Sequence, residues 1–365
     1  MKKILHVRST IGMYGAEKVV LNLMKAFIRL NTSATVAVIE GMNPQAQYLA
    51  KELTEAGLPH TALPSSRRFD IRVIGKLRDL MKSEGIAIVH THDYKSLLLS
   101  SIAALLLDVR LIHHVHGSLG NTLPEKLYGI IERICMYRVS KIITVSEAQR
   151  EQYAVNKFYE KKIIKVDNGT QLPDFYKNRQ ANNPFTIAMV ARFTPEKNHQ
   201  LAIDILALLV SRKKEIRLLF LGDGPCLNAI KRMVDSQGLA SQVQFVGFTN
   251  KVQKWLRSTD LLLITSVTEG MPMCLLEAMA MGIPAVSTPV GEIPALLKAA
   301  NSGEVAKTKD NLAQAIIRVM DDAQLYEKYC LNARDYIKEN LSVNRQAINL
   351  NEIYSEKVGG RNERY

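Results

Sequence analysis

The chain has 365 residues, of which 47% are hydrophobic and 23% charged. At about 150 residues per domain this predicts two domains, and the balance excludes a disordered chain, a collagen-like chain and a small disulfide scaffold. Lys plus Arg number 48 against 35 Asp plus Glu, a net charge of +13. Residues 1–180 carry 26 basic and 16 acidic side chains, net +10, so the first half should meet an anionic partner: a membrane surface, a phosphorylated ligand or nucleic acid.

The first ten residues, MKKILHVRST, lack an apolar core of signal-peptide length. The longest apolar stretch, Leu97 to Leu107, is 11 residues, against the roughly 20 that a membrane span needs. Cys135, Cys226, Cys274 and Cys330 are far apart with no Cys-x-x-Cys pair, which argues against a disulfide framework or a cysteine zinc site. A cytoplasmic protein is expected.

Short apolar runs alternate with amphipathic stretches. Strands are predicted at 4–7, 35–39, 86–90, 111–115, 142–145 and 163–166, with helices at 16–30, 71–82, 95–107, 125–139 and 147–156. The alternation restarts with strands at 186–190, 216–221, 243–246, 261–265 and 284–287 and helices at 201–212, 227–236, 251–257 and 275–281. Such alternation implies parallel βαβ units. The polar stretch 171–184 carries a proline near each end and marks the break. The predicted organisation is a first α/β domain over 1–172, a linker over 173–183, a second α/β domain over 184–341, and a helical segment over 342–365 that could cross back to the first. Open α/β sheets bind ligands at the carboxyl ends of their strands, so the loops after each strand carry the candidates, and a cleft between two such domains is the default site.

After the first strand, Gly12 and Gly15 lie in a loop that feeds a helix N-terminus, a place where backbone N–H groups can approach an anion. His90, His92, His113, His114 and His116 follow two other strands. A zinc site is conceivable there, but spacing places no acidic or cysteine partner. Packed or capping histidines are the plainer reading, with His116, followed by Gly117, hydrogen-bonded to a polar ligand.

In the second half, Arg192 and Lys197 share one loop before a helix, and both suit phosphate oxygens; a solvated basic pair is the alternative. Gly222-Asp223-Gly224 opens like a dinucleotide fingerprint, but Leu227 stands where the third glycine belongs. In Thr265–Pro284 a strand ends, Glu269 and Gly270 occupy a loop, and a helix starts near Met273 with Glu277 one turn inside. Free N–H groups at that first turn favour a phosphate. Two carboxylates beside a phosphate are costly unless each binds sugar hydroxyls. Eight helical residues span about 12 Å, wider than the roughly 5–9.5 Å of a glycosidase pair.

These residues together resemble the retaining glycosyltransferases of family four, which have the GT-B fold of two Rossmann-like doubly wound domains facing across a cleft. The resemblance covers nearly the whole chain. It is carried by Glu-x7-Glu at Glu269 and Glu277, Arg-x4-Lys at Arg192 and Lys197, the Gly222–Gly224 turn, His116-Gly117 and Gly15-Ala16-Glu17, in that family's order. Tyr14 and Ala191 stand where the family often has glycine.

The resemblance implies a nucleotide-sugar donor, a UDP- or GDP-sugar, as co-substrate, with no other cofactor and no metal. Arg192 and Lys197 would hold the diphosphate, Glu277 the ribose, and Glu269 the transferred sugar with backbone N–H groups near Met271, Pro272 and Met273 following Gly270. His116 would meet the sugar from the first domain, Gly15 would let its loop approach the phosphates, and Gly222 and Gly247 would border the base. The absence of Asp-x-Asp agrees with metal independence. The implied acceptor is a glycan or glycolipid of cell-surface polysaccharide or lipopolysaccharide synthesis.

Competing readings are a GT-B epimerase or phosphorylase, a nicotinamide dehydrogenase and a nucleic-acid-binding protein. Aromatic residues at 6% and the absence of any helix-turn-helix, zinc or RNP pattern argue against nucleic acid. An anionic membrane surface, at the inner face of the plasma membrane, is an expected partner. The segment from Arg67 and Arg68 to Lys82 joins Arg72, Lys76 and Arg78 to an apolar stripe at Ile71, Ile74, Leu77, Leu80 and Met81. A core-facing helix with a solvated basic face is the alternative there.

Overall fold

The computed structural model describes residues 2–10, 12–67, 70–116, 123–173 and 181–356. Gly117, Arg68 and most of the expected linker lie outside them. The chain divides into one unit of Met1–Gly169 with Val343–Tyr365, and a second of Thr170–Ser342.

Among the described residues the first unit holds seven strands: β1 (Lys3–Thr10), β2 (Ala34–Glu40), β3 (His60–Pro64), β4 (Ile86–Thr91), β5 (Arg110–Val115), β6 (Lys141–Thr144) and β7 (Ile163–Lys165). They form one parallel sheet in the order β3-β2-β1-β4-β5-β6-β7. The second unit holds β8 (Phe185–Val190), β9 (Ile216–Leu221), β10 (Val243–Gly247), β11 (Leu261–Ile264), β12 (Ala285–Ser287) and β13 (Gly303–Val305), again parallel, in the order β10-β9-β8-β11-β12-β13. The chain order reverses between β1 and β4 in one sheet and between β8 and β11 in the other. Those are the switch points where such sheets open a crevice.

The expected elements are present with small shifts at their ends, and β3 and β13 add a strand to each sheet. The helix expected over 95–107 ends at Ala103, because Leu106 turns into the left-handed region (φ 64°) and points into solvent. The last helix, Val343–Ser355, packs against helix Gly15–Arg29 of the first unit.

One face of the first sheet carries an apolar cluster that includes Leu5, Val7, Ala37, Val89 and Leu111. Alternation along the strands puts His6 of β1, His90 and His92 at the end of β4, and His114 and His116 at the end of β5 on the opposite face. Their rings stack: His114 on His116 at 4.1 Å, and His90 on His92 at 4.5 Å between centroids. His113 points to the other face, between the Thr91 hydroxyl (2.9 Å) and Glu132 (3.2 Å). The hydroxyl of Tyr354 reaches His90 Nδ1 at 2.6 Å and so ties the last helix to this stack.

Burial pushes His6 and His114 down to about 3, the latter also opposed by His113 and His6. The unfolded chain takes up protons on these rings below about pH 6.5, while the folded chain does not until about pH 3. Their contribution is therefore intact above pH 6.5 and is lost as the pH falls through that window, by about 1.4 kcal/mol per pH unit for each ring. Among the described residues neither nitrogen of His114 has a hydrogen-bond partner, so His114→Phe should keep its stability near neutrality. Its acid limb should be shallower by one such increment in urea unfolding between about pH 7 and pH 4. An unchanged acid slope would mean that His114 is protonated in the fold.

Candidate functional site

In the second unit the residues converge on the β8/β11 switch point. β8 runs into Ala191–Thr194, a single 3-10 turn at Pro195–Lys197, and helix His199–Ser211. Asn198 joins turn to helix in the left-handed conformation (φ 49°, ψ 53°) and caps the helix through Leu201 N. The loop after β11 is stitched to this one. The Thr265 hydroxyl donates to the carbonyls of Lys197 and Asn198 at 3.0 and 2.9 Å, and Val267 N donates to Glu196 O at 2.8 Å. Across the seam Lys197 Nζ donates to Glu269 Oε1 at 2.7 Å, and the Ser266 hydroxyl donates to the same oxygen at 2.7 Å.

Arg192 stands at the mouth of this loop with its side chain 43% exposed and Glu196 3.7 Å away. The Thr194 hydroxyl holds Glu196 at 2.6 Å, and together with Arg192 and Lys197 it keeps that carboxyl below its ordinary range against the effect of burial. His199 lies flat on Phe193 at 4.0 Å and is pushed down to about 4, by burial first and by Lys197 second. The ring close to Lys197 is therefore neutral at neutral pH.

The glycines act through close approach. A Cβ on Gly222 (φ 148°) would meet Ala191 O at 1.9 Å, and one on Gly224 (φ 158°) would meet Phe193 O at 2.6 Å. These glycines let the turn after β9 lie against the Arg192 loop, with Phe193 N donating to Asp223 O at 3.0 Å. Gly222 N in turn donates to Gly247 O at 2.9 Å. Gly270 O accepts from Glu292 N at 3.0 Å, and Gly291 (φ 56°) packs so tightly that a Cβ would lie 2.3 Å from Gly270 O. Pro272 is the N-cap of helix Met273–Ala280, Met271 and Met273 are buried, and Glu277 is half-buried one turn in. The positive end of that helix's dipole makes it favourable for an anion.

The first unit supplies a different environment. Arg8 donates from Nε and Nη2 to Glu17 Oε1 at 2.9 and 2.7 Å and from Nη1 to His92 O at 2.8 Å, with Asp93 3.6 Å away. Glu17, fully buried, also accepts from Tyr14 N at 3.1 Å. The segment Gly15-Ala16-Glu17 is thus anchored by its glutamate, while Gly15 opens its helix with an exposed backbone. His116 is half-buried, and its Nε2 lies 2.8 Å from His92 Nδ1, whose other nitrogen lies 2.9 Å from His6 Nδ1. Burial, then His114 and Arg8, hold His116 well below its ordinary range, so the ring is neutral.

Three neutral rings joined in this way carry one N–H each, so their tautomers are coupled: the nitrogen that His116 leaves open is set by His92 and His6. His6, His90 and His92, and His92, His114 and His116, are also groups of nitrogens close enough to share a metal ion. Both contain His92, whose two nitrogens already bond neighbouring rings.

Arg8, Asp93, Ser266, His199 and Gly291 were not singled out from sequence. Asp93 lies two residues past β4 and Gly291 follows β12 within a short loop, which are the signals that could have found them.

Residues 13–172 match the family described as Glycosyltransferase Family 4, and residues 172–336 match Glycosyl transferases group 1. An Escherichia coli protein named UDP-Gal:alpha-D-GlcNAc-diphosphoundecaprenol alpha-1,3-galactosyltransferase is 24% identical, covering 98% of this chain and 97% of its own length. The putative glycosyltransferase EpsF of Bacillus subtilis is 25% identical over 78% of each chain. Among solved structures, Anabaena HepE in complex with UDP and glucose superposes with a TM-score of 0.84 at 19% identity, covering 98% of this chain and all of that one. The two family matches adjoin and follow the two structural units, and the chain belongs to the group 1, family 4 glycosyltransferases of the GT-B fold.

Proposed function

We propose that the protein transfers a sugar from a UDP-sugar to a glycan or glycolipid acceptor in cell-surface polysaccharide synthesis, with retention of configuration and without a metal ion. The observation that carries this reading is the Lys197–Glu269 pair at the second switch point, with Arg192 on the same loop. UDP and glucose in the structure of HepE, and the lipid-linked acceptor and UDP-galactose in the name of the Escherichia coli relative, support the choice of donor and acceptor class.

A site that binds a diphosphate must hold cations without stranding them when empty. Glu269 does this for Lys197. When a diphosphate arrives, the lysine can turn to its oxygens, and the released carboxylate is then free to accept hydroxyls of the transferred sugar. The earlier objection to two carboxylates beside a phosphate is met for Glu269, which is charge-compensated without ligand.

In the transfer step the bond from the anomeric carbon to the donor phosphate oxygen breaks. Negative charge grows on that oxygen and is stabilised by Arg192, Lys197 and the N-terminus of helix Met273–Ala280. The acceptor hydroxyl attacks on the same face, a new carbon–oxygen bond forms, and the hydroxyl proton passes to the leaving phosphate. No protein nucleophile is needed. Glu277 is assigned the ribose hydroxyls and His116 a hydroxyl of the transferred sugar.

Truncating Arg192 or Lys197 to Ala should cost about 1.5–3 kcal/mol of donor binding or transition-state stabilisation. Calorimetry with UDP and initial rates with the donor check this; unchanged values in both variants would remove the diphosphate assignment. Glu277→Ala should weaken UDP binding, whereas Glu269→Ala should leave UDP binding nearly intact and lower turnover, and the opposite split would exchange their roles. Chelator should leave the rate unchanged, while loss restored by a divalent ion would refute the metal-free mechanism. His92→Phe removes the ring that sets the open nitrogen of His116. It should lower kcat about two- to tenfold, the equivalent of one lost neutral hydrogen bond, while UDP affinity stays put.

A further inference from the structure

We infer that helix Leu123–Met136 of the first unit, with the neighbouring turn at Lys157–Lys162, is a docking surface for an anionic lipid bilayer. One face of this helix does what the sheet demands: Tyr128, Cys135 and Met136 are buried. The other face should then be polar, and it is not. Leu127, Ile130 and Ile134, spaced to share a face, are 55–61% exposed, and Tyr137 continues the stripe past the helix end. A helix that is apolar all round is normally buried on both sides. Phe158 extends the stripe sideways, with its ring 4.8 Å from that of Tyr137, and Val155 is 87% exposed beside it in sequence.

The charged residues around the stripe are mainly cations, with Glu160 an exposed acid among them. Arg133, Arg138, Lys157 and Lys161 are exposed. Lys162 lies over the Phe158 ring at 4.2 Å and donates to Tyr137 O at 3.0 Å. An apolar band with aromatic members, edged by long basic side chains, matches the depth profile of a bilayer interface, with rings at headgroup level and cations among the phosphates. A second copy of the chain is a poor occupant. A self-complementary contact would place like-charged rims opposite one another on a chain of net +13. Lysine is also depleted in protein interfaces.

The segment predicted from sequence to meet the membrane, helix Ile71–Ser83, is built differently. Val73, Leu77 and Met81 are buried, Arg72 is held by Asp70 at 2.8 Å, and Arg78 donates to Leu105 O at 2.8 Å. Most of its apolar stripe is spent on the sheet, and Ile71 alone of that stripe, at the first turn, is left exposed. The docking helix, in contrast, starts seven residues after His116, and its Tyr128 stacks at 4.7 Å on Tyr94, which directly follows Asp93. Docking here would bring headgroups to the end of the sheet that carries His92 and His116. This inference goes beyond the donor chemistry and does not need it, since bilayer binding can be read without sugar or nucleotide.

The test is flotation of the full chain with vesicles of phosphatidylcholine alone and of phosphatidylcholine with phosphatidylglycerol. The protein should float with the anionic vesicles and float less at high salt. Leu127→Ser, Ile130→Ser and Ile134→Ser together should lower binding at least tenfold while the unfolding midpoint is kept. Arg133→Gln, Arg138→Gln, Lys157→Gln and Lys161→Gln together should abolish the preference for anionic lipid. Arg72→Gln, Lys76→Gln and Lys82→Gln should change neither. The inference is overturned by equal recovery on both vesicles, or by lost binding in the last variant alone. It is also overturned by a dimer in sedimentation that the serine variant dissolves, which would make the stripe a protein interface.

Discussion

A lysine and a glutamate 72 positions apart meet at 2.7 Å across the switch point of the second sheet, and much of that unit is arranged to let them do so. Parallel strands deliver both loops to one edge, but they do not hold the loops together. That is done by the Thr265 hydroxyl on two carbonyls, by Val267 N on Glu196 O, and by glycines at 222, 224 and 291 where a methyl group would collide with backbone. The half-buried ion pair is then the electrostatic rest state of a cation site. A lone lysine there would repel Arg192, and a lone Glu269 would lose solvation without compensation. A ligand that brings its own negative charge can take over the carboxylate's role, so binding becomes an exchange of partners rather than the burial of new charge.

The first unit solves the opposite problem. Its sheet edge has to present a polar group without presenting charge. Five stacked imidazoles could not all be protonated in a buried space, and burial keeps them neutral. Neutrality makes each ring both donor and acceptor, so the line His6–His92–His116 has a defined hydrogen-bond sense at any moment. Tyr354, from the far end of the sequence, closes the other branch on His90. The C-terminal helix is therefore part of the polar architecture of the first unit as well as of its packing.

The fold was legible because βαβ periodicity is a local signal, and the strand-end loops followed from it. What escaped was what only packing decides. β3 (HTALP) and β13 (GEV) are short, half-polar edge strands with no apolar run to announce them. The helices at Lys309–Asp321 and Ala323–Asn340 were within reach, since Thr308 and Asp322 cap them with side-chain oxygens. Leu106 could not be foreseen outside its helix, because nothing in a leucine run marks a left-handed turn. The Glu269–Lys197 contact was equally hidden: spacing put each residue on a strand-end loop, but only sheet order put those loops side by side. Gly15-Ala16-Glu17 was read for its glycine, yet its buried glutamate carries the structural weight by clamping Arg8.

The same distinction separates the two basic helices of the first unit. Density of Lys and Arg drew attention to residues 67–82, and that is a poor criterion because it ignores what the apolar side chains beneath are already doing. A helix on a sheet has one face to give, and Ile71–Ser83 gives Val73, Leu77 and Met81 to it. Charge left over on its solvent side needs no partner, since water serves it well. Leu123–Met136 satisfies the sheet and still shows Leu127, Ile130 and Ile134 to water. Exposed apolar area costs about 25 cal/mol for each Å² left in water, and cations around it neither relieve nor explain that cost. A surplus of apolar surface after the core is complete, rather than a surplus of charge, is the physical sign that a helix belongs to two environments at once.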